Sequence, residues 1–81
     1  MKILITGASG SIGKEIVKQL IKDNEIICFD RNEEKVFYLQ KEILSVYPEA
    51  KLTVCLGSIT NIDRLLEVFN IHKPDVVYHT A

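Results

Sequence analysis

The sequence has no surplus of either charge. Ten Lys and Arg face eleven Asp and Glu, for a formal net charge of -1. That excludes the basic stripe with which proteins track a nucleic acid or an anionic membrane. Cysteine is scarce. Cys28 and Cys55 sit inside apolar runs, form no CxxC pair and have no histidine at metal-ligand spacing. A disulfide framework and a zinc site are thereby excluded, and two reduced, buried thiols are expected. Long hydrophobic runs are missing too. The opening stretch from Met1 to Gly7 is too short for a signal peptide or a membrane span, so a cytoplasmic chain is expected. There is no internal repeat, low-complexity stretch or linker. What is present is ordinary for a globular protein: 47% hydrophobic and 26% charged residues, which excludes a disordered or collagen-like chain. The 81 residues make room for one small domain. That length is short for an enzyme holding both a cofactor and a substrate.

Two hydrophobic periods alternate along the chain. Lys2 to Thr6 is a short apolar run ending at glycine, as in a buried strand. Ser11 to Asp23 is amphipathic, with Ile12, Ile16, Leu20 and Ile21 on one face and Lys14, Glu15, Lys18 and Lys22 opposite. Glu25 to Asp30 is a second strand. Asn32 is placed to cap a helix whose first turn holds Glu33 and Glu34, where the helix dipole favours anions. That helix runs through Val36, Leu39, Ile43 and Tyr47 and stops before Pro48. Lys51 to Leu56 is a third strand. Asn61 caps a third helix with Ile62, Leu65, Leu66 and Phe69 at helical spacing, and Asp75 to His79 follows Pro74 as a fourth strand. The order β-α-β-α-β-α-β, with continuous apolar strands and one-sided helices, predicts an α/β domain with a parallel sheet covered on both faces. Right-handed crossovers restrict it to a doubly wound sheet of strand order 3-2-1-4, the first part of a Rossmann-type fold.

Between the first strand and first helix lies Thr6-Gly7-Ala8-Ser9-Gly10-Ser11-Ile12-Gly13. Gly7 suits the tight turn, Gly10 lets backbone N–H groups approach a pyrophosphate, and Gly13 lets the helix pack closely on the sheet. The helix N-terminus adds its dipole and unpaired N–H groups, so the loop reads as a dinucleotide-phosphate site. A Walker A loop is rejected. Gly13-Lys14 is followed by Glu15, not Ser or Thr, and Ala8 stands where that motif has its first glycine. Asp30 ends the second strand roughly 20 residues after the loop, where a carboxylate accepts the adenosine ribose hydroxyls; the bland alternative is a solvated turn residue. Asp30 favours NAD. Arg31, able to pair with a 2′-phosphate or stack on adenine, keeps NADP open.

With these residues placed, TGASGSIG is similar to the TGxxGxxG fingerprint of the extended short-chain dehydrogenase/reductase superfamily. FDRNE, YPEAK, LGSITNIDRLLEVF and KPDVVYHTA together resemble the CapD-like nucleoside-diphosphate-sugar dehydratases and epimerases of polysaccharide biosynthesis, along all 81 residues. The resemblance implies that Gly7, Gly10 and Gly13, with Ser9, Ser11 and Ile12 among them, hold the pyrophosphate, and that Asp30 and Arg31 take the ribose. Relatives read Gly-Asp-hydrophobic after the third strand, the Asp binding the adenine amino group. This chain has Gly57-Ser58-Ile59, so Ser58 would accept without charge and Ile59 would pack on the ring. Thr80 and Ala81 would run beside the cofactor towards its nicotinamide half. The implied full enzyme oxidises C4 of a nucleotide sugar with NAD(P), loses water from C5 and C6 or inverts a centre, and returns the hydride. The resemblance puts the catalytic Lys on a later helix, so residues 1–81 are expected to be the cofactor-binding part, cut before the catalytic and substrate part. The alternatives are a free-standing, non-catalytic dinucleotide-binding module or another short-chain reductase. An uncovered edge on the fourth strand would leave pairing with another copy open, as a homo-oligomer.

Two patterns mislead. Tyr47-Pro48-Glu49-Ala50-Lys51 fits a Tyr-x-x-x-Lys catalytic pair, but Pro48 breaks the helix that would align the two side chains. Tyr47 is expected to pack at a helix end and Lys51 to be solvated. His72, near a helix C-terminus, is expected at the surface. His79 ends the fourth strand and is either a cofactor-side contact or a satisfied structural histidine. No catalytic triad or metal cluster is legible.

Overall fold

The computed structural model describes residues 1–80. The elements run β1 (Lys2–Thr6), α1 (Ser11–Leu20), β2 (Glu25–Asp30), α2 (Glu33–Val46), β3 (Leu52–Leu56), α3 (Ile62–His72) and β4 (Val76–His79). The four strands form one parallel sheet in the order β3-β2-β1-β4. This is the partial Rossmann fold expected from the alternating periods. All the strands therefore deliver their carboxyl ends to the same side: Thr6 faces Phe29 across one pairing and His79 across the other, and Asp30 faces Leu56.

Strand alternation divides the apolar residues between two cores. Ile3, Ile5, Ile26 and Cys28 point to the face covered by α1 and α2, where Val17, Ile21, Val36, Leu39 and Ile43 pack on them. Leu4, Ile27, Phe29 and Cys55 point to the other face, under Val68 of α3. The caps follow the sequence. Asn32 Oδ1 accepts from the Lys35 N–H at 3.0 Å and Asn61 Oδ1 from the Arg64 N–H at 3.1 Å.

The expected faces of α1 and α3 are corrected, with Gly13, Val17 and Val68 buried in place of Ile12, Ile62 and Leu66. Ile12 is 67% exposed, Ile62 61% and Leu66 54%. The α1 face on the sheet is Gly13 and Val17, continued by Ile21, with Ile16 and Leu20 half-buried. The α3 face is Val68 with Leu65 and Phe69 beside it. Ile12 and Ile62 lie in the first turns, which overhang the carboxyl ends of the strands and find no sheet beneath them. Helix α1 also ends at Leu20, three residues earlier than expected. Asn24 Nδ2 donates to the Leu20 carbonyl at 2.9 Å and takes the place of the next helical turn. Helix α2 ends at Val46, and Tyr47 caps it at φ -123°, ψ 79°, outside the helical region that the following proline disfavours. β3 and β4 each begin one residue late: Lys51 gives its carbonyl to the Ile26 N–H, and Asp75 exchanges backbone and side-chain bonds with Lys2.

Candidate functional site

The carboxyl ends of β1, β2 and β3 enclose a cleft of about 410 Å³ lined by Gly7, Phe29, Asp30, Arg31, Gly57, Ser58, Ile59 and Thr60. Its volume is within the range of small-ligand sites. Gly7, the first residue of the β1–α1 loop, forms part of one wall. Gly7 takes φ +69°, a left-handed conformation that costs glycine little, and its N–H donates to the Phe29 carbonyl at 2.9 Å. The chain then turns at once, with the Gly10 N–H donating to the Gly7 carbonyl at 3.0 Å. Gly10 is the N-cap of α1 and has no side-chain cap. Ser11, Ile12 and Gly13 therefore make up the first turn, where N–H groups have no acceptor within the helix. A Cβ on Gly10 would meet only the Gly7 carbonyl oxygen, at 3.3 Å, so the space before the helix mouth is open. Open approach, unpaired donors and the helix dipole together suit a pyrophosphate.

Asp30 lies at the far wall and is 9% exposed. Its Oδ2 accepts two bonds from Ser9, from the N–H at 2.9 Å and the hydroxyl at 2.7 Å. Its Oδ1 accepts the Asn32 N–H at 2.9 Å. Burial pushes the carboxyl up, but the Asn32, Ser9 and Arg31 donors together outweigh it and hold the group below its ordinary value. The carboxylate is thus buried, ionised and preorganised beside the cleft.

The remaining residues predicted from sequence fall around this centre. Arg31 and Ile59 line the cleft, Arg31 exposed and Ile59 packed against the core under α3. Ser58 lines it as well. Its oxygen accepts the Thr60 N–H at 3.2 Å and shares a 2.8 Å bond with the Thr60 hydroxyl. Thr80 donates its hydroxyl to the Thr6 carbonyl at 2.6 Å and the Gly7 carbonyl at 3.1 Å, which ties the glycine loop to the end of β4. Ala81 lies outside the described residues. His79 Nδ1 is 2.6 Å from the Thr6 hydroxyl, so the ring has a structural partner while remaining exposed. Tyr47 and Lys51 lie at the amino ends of the strands, away from the cleft, with Tyr47 against the core and Lys51 exposed.

One contact was not legible. His72 is half-buried, with Nε2 3.6 Å from Cys55 Sγ. Helix α3 returns antiparallel over β3 and brings its last turn onto that strand, an arrangement that only the topology reveals. Burial pushes the Cys55 thiol up against an opposing pull from Arg64, so the pair is not an activated nucleophile. No cluster of three metal-ligating side chains occurs among the described residues, and none of their helices is long and apolar enough to cross a membrane.

Residues 3–81 match the family described as "Polysaccharide biosynthesis protein". The chain belongs to this family. It is 37% identical over 82 residues to the capsular polysaccharide biosynthesis protein CapD of Staphylococcus aureus, across 98% of this chain and 14% of that protein. It is 35% identical over 82 residues to the inverting UDP-N-acetylglucosamine 4,6-dehydratase of Campylobacter jejuni, across 98% of this chain and 23% of that protein. Among solved structures, the NAD complex of dTDP-glucose 4,6-dehydratase from Bacillus anthracis superposes with a TM-score of 0.77 at 26% identity, over all of this chain and 26% of that one. Solved structures of this fold carry NAD in some cases and NADPH in others. The chain spans less than a quarter of the length of each curated relative described.

Proposed function

We propose that residues 1–81 are the dinucleotide-binding part of an NAD(P)-dependent nucleotide-sugar 4,6-dehydratase or epimerase of polysaccharide biosynthesis. The observation that carries this reading is that Gly7 of the glycine loop and the Asp30 carboxylate line one cleft, with the first turn of α1 following directly from that loop. The open first turn of α1 suits a pyrophosphate, and the Asp30 carboxylate at the end of β2 suits a ribose hydroxyl. Their separation by a single strand-to-strand step is what a dinucleotide needs. The substrate class rests on the relatives, one of which is a UDP-N-acetylglucosamine 4,6-dehydratase.

When bound, the dinucleotide supplies a reversible hydride acceptor for the sugar. The residues of this chain bind and orient it. Ser11, Ile12 and Gly13 offer backbone donors to the pyrophosphate, Asp30 accepts from the ribose, and Ile59 with the exposed Arg31 flanks the adenine. Thr80 holds the loop in place from β4. Among the described residues that line the cleft we assign none to proton transfer on the sugar, and the general acid and base are proposed to lie outside residues 1–81.

Calorimetric titration of the full-length protein with NAD and NADP, followed by incubation with UDP-N-acetylglucosamine, tests the reading. Binding of a dinucleotide and a product lighter by one water support the dehydratase. A product of unchanged mass but altered stereochemistry supports the epimerase. No affinity for either dinucleotide refutes both.

A further inference from the structure

Ser9 commits both of its donors to one oxygen atom. An ionised carboxylate offers about four acceptor positions. Two on Asp30 Oδ2 are taken by Ser9 and one on Oδ1 by Asn32. By full hydrogen-bond geometry one position on Oδ1 remains, with the Arg31 N–H close enough to help hold the carboxyl low. Ser9 also holds the carboxylate from behind. It is absent from the lining of the cleft and lines a second hollow with Ser11, Lys14 and Lys35. Asp30 lines the cleft and Ser9 the hollow, and the carboxylate is fixed on both of its oxygens.

We propose that Ser9 is a positioning residue that locks Asp30 into a one-acceptor grip on the adenosine ribose and thereby sets a preference for NAD over NADP. This rests on the dinucleotide reading above. A 2′-hydroxyl donates into the remaining Oδ1 position. A 2′-phosphate meets an anion that cannot turn away, because Ser9 pins one oxygen and Asn32 the other. Without the Ser9 hydroxyl Oδ2 keeps only the Ser9 N–H, so the hold on the carboxylate weakens and the group takes a proton more readily. Arg31, exposed beside it, is then free to pair with the phosphate. The charged and titratable groups around Asp30 are few. Cys28 shares its strand, with its thiol pushed up to about 12, chiefly by burial and then by Asp30 itself. Arg31 adjoins it. Arg64 reaches the end of β3, donating from Nε to the Leu56 carbonyl at 2.8 Å. Lys14 and Lys35 line the hollow behind Ser9. None of them forms a salt bridge with Asp30 among the described residues, so the hydrogen bonds govern its behaviour.

The test is calorimetry of the full-length protein with NAD and with NADP over a pH series, for the wild type, Ser9→Ala and Ser9→Thr. Ser9→Ala is expected to raise the Kd for NAD about tenfold, the loss of one charge-assisted hydrogen bond. The Kd for NADP is expected to stay level or fall. The acid limb of NAD affinity moves to higher pH, because a bond that holds the Asp30 carboxyl low is lost. Ser9→Thr, which keeps a hydroxyl, restores the wild-type pattern, and thermal midpoints verify that each variant is folded. A Ser9→Ala protein that binds NAD within about twofold of wild type, with its acid limb unmoved, overturns the proposal. So does an equal loss for both dinucleotides, which would mean that Ser9 only stiffens the loop. A wild type that binds neither dinucleotide overturns the dinucleotide reading itself, and the role of Ser9 with it.

Discussion

Replacing Gly13 by alanine tests the packing of the glycine loop directly. A Cβ at Gly13 would stand 2.3 Å from the Gly7 carbonyl oxygen, 2.8 Å from the Ala8 Cα and 3.0 Å from the Gly7 carbonyl carbon, where ordinary contact is 3.4–4 Å. All three neighbours are backbone, so no side chain can swing aside. The helix must retreat from β1 by roughly 1 Å, and overpacking of that kind costs about 1–3 kcal/mol. Alanine recovers some of this, since it is favoured over glycine within a helix by about 1 kcal/mol. The backbone clash is the larger effect, because Gly7 is held in place by the Phe29 carbonyl, the Gly10 N–H and the Thr80 hydroxyl. A net loss of about 2 kcal/mol is expected. Urea denaturation of the full-length protein, followed by far-UV circular dichroism, reads it as a lower midpoint. Retreat of α1 also carries the first-turn donors away from the pyrophosphate, so dinucleotide affinity falls in step. A variant as stable as wild type would refute the claim that Gly13 sets the distance between α1 and the sheet.

Gly10→Val separates binding from folding at the same loop. The added Cβ meets only the Gly7 carbonyl oxygen, at a tight 3.3 Å, so stability should fall by about 1 kcal/mol, less than for Gly13→Ala, while NAD affinity in calorimetry should fall at least about tenfold; unchanged affinity would show that the pyrophosphate lies elsewhere. Asp30 makes stability depend on acid. Its folded carboxyl lies below the unfolded value near 3.9, so its contribution is complete above that pH and disappears as pH falls through the lower folded value. Asp30→Asn should flatten this limb of a stability-against-pH curve, and an unaltered limb would count against the Ser9 and Asn32 bonds. Thr80→Val removes the hydroxyl bonds to the Thr6 and Gly7 carbonyls and should cost about 1–2 kcal/mol, measured by thermal melting; no change would mean that β4 does not hold the loop.

The fold was legible because its signals are local. Apolar runs, one-sided helices and the caps Asn32 and Asn61 each follow from residues close in sequence, and crossover handedness then leaves one strand order. The faces of α1 and α3 were legible only in part: Ile16, Leu20, Ile21, Leu65 and Phe69 pack as expected, while Val17 and Val68, the most buried residues of the two helices, were passed over and Leu66 is exposed. A period of 3.6 residues gives Ile12 and Ile62 the same standing as Val17 and Val68. It does not record where the sheet beneath a helix stops, and that boundary comes from strand lengths and register.

The site divides in the same way. Gly7, Gly13 and Asp30 were readable because backbone geometry and strand ends dictate their residue types. The partners of Asp30 were not, since Ser9 reaches it across a gap of 21 residues, closed only when β1 and β2 pair. Ser9 looked like one more phosphate-facing loop residue, yet its N–H and hydroxyl both point at the carboxylate. The loop and the acidic residue are therefore one hydrogen-bonded unit. Asp30 cannot be altered without releasing the loop, and the loop cannot shift without unpinning Asp30. Effects of substitutions at Ser9 and Asp30 should accordingly fail to add, as contacting groups in one network do. If Asp30 is already removed, loss of the Ser9 hydroxyl should have little further effect on NAD affinity. Additive losses in that double variant would mean that the two residues act on the cofactor separately.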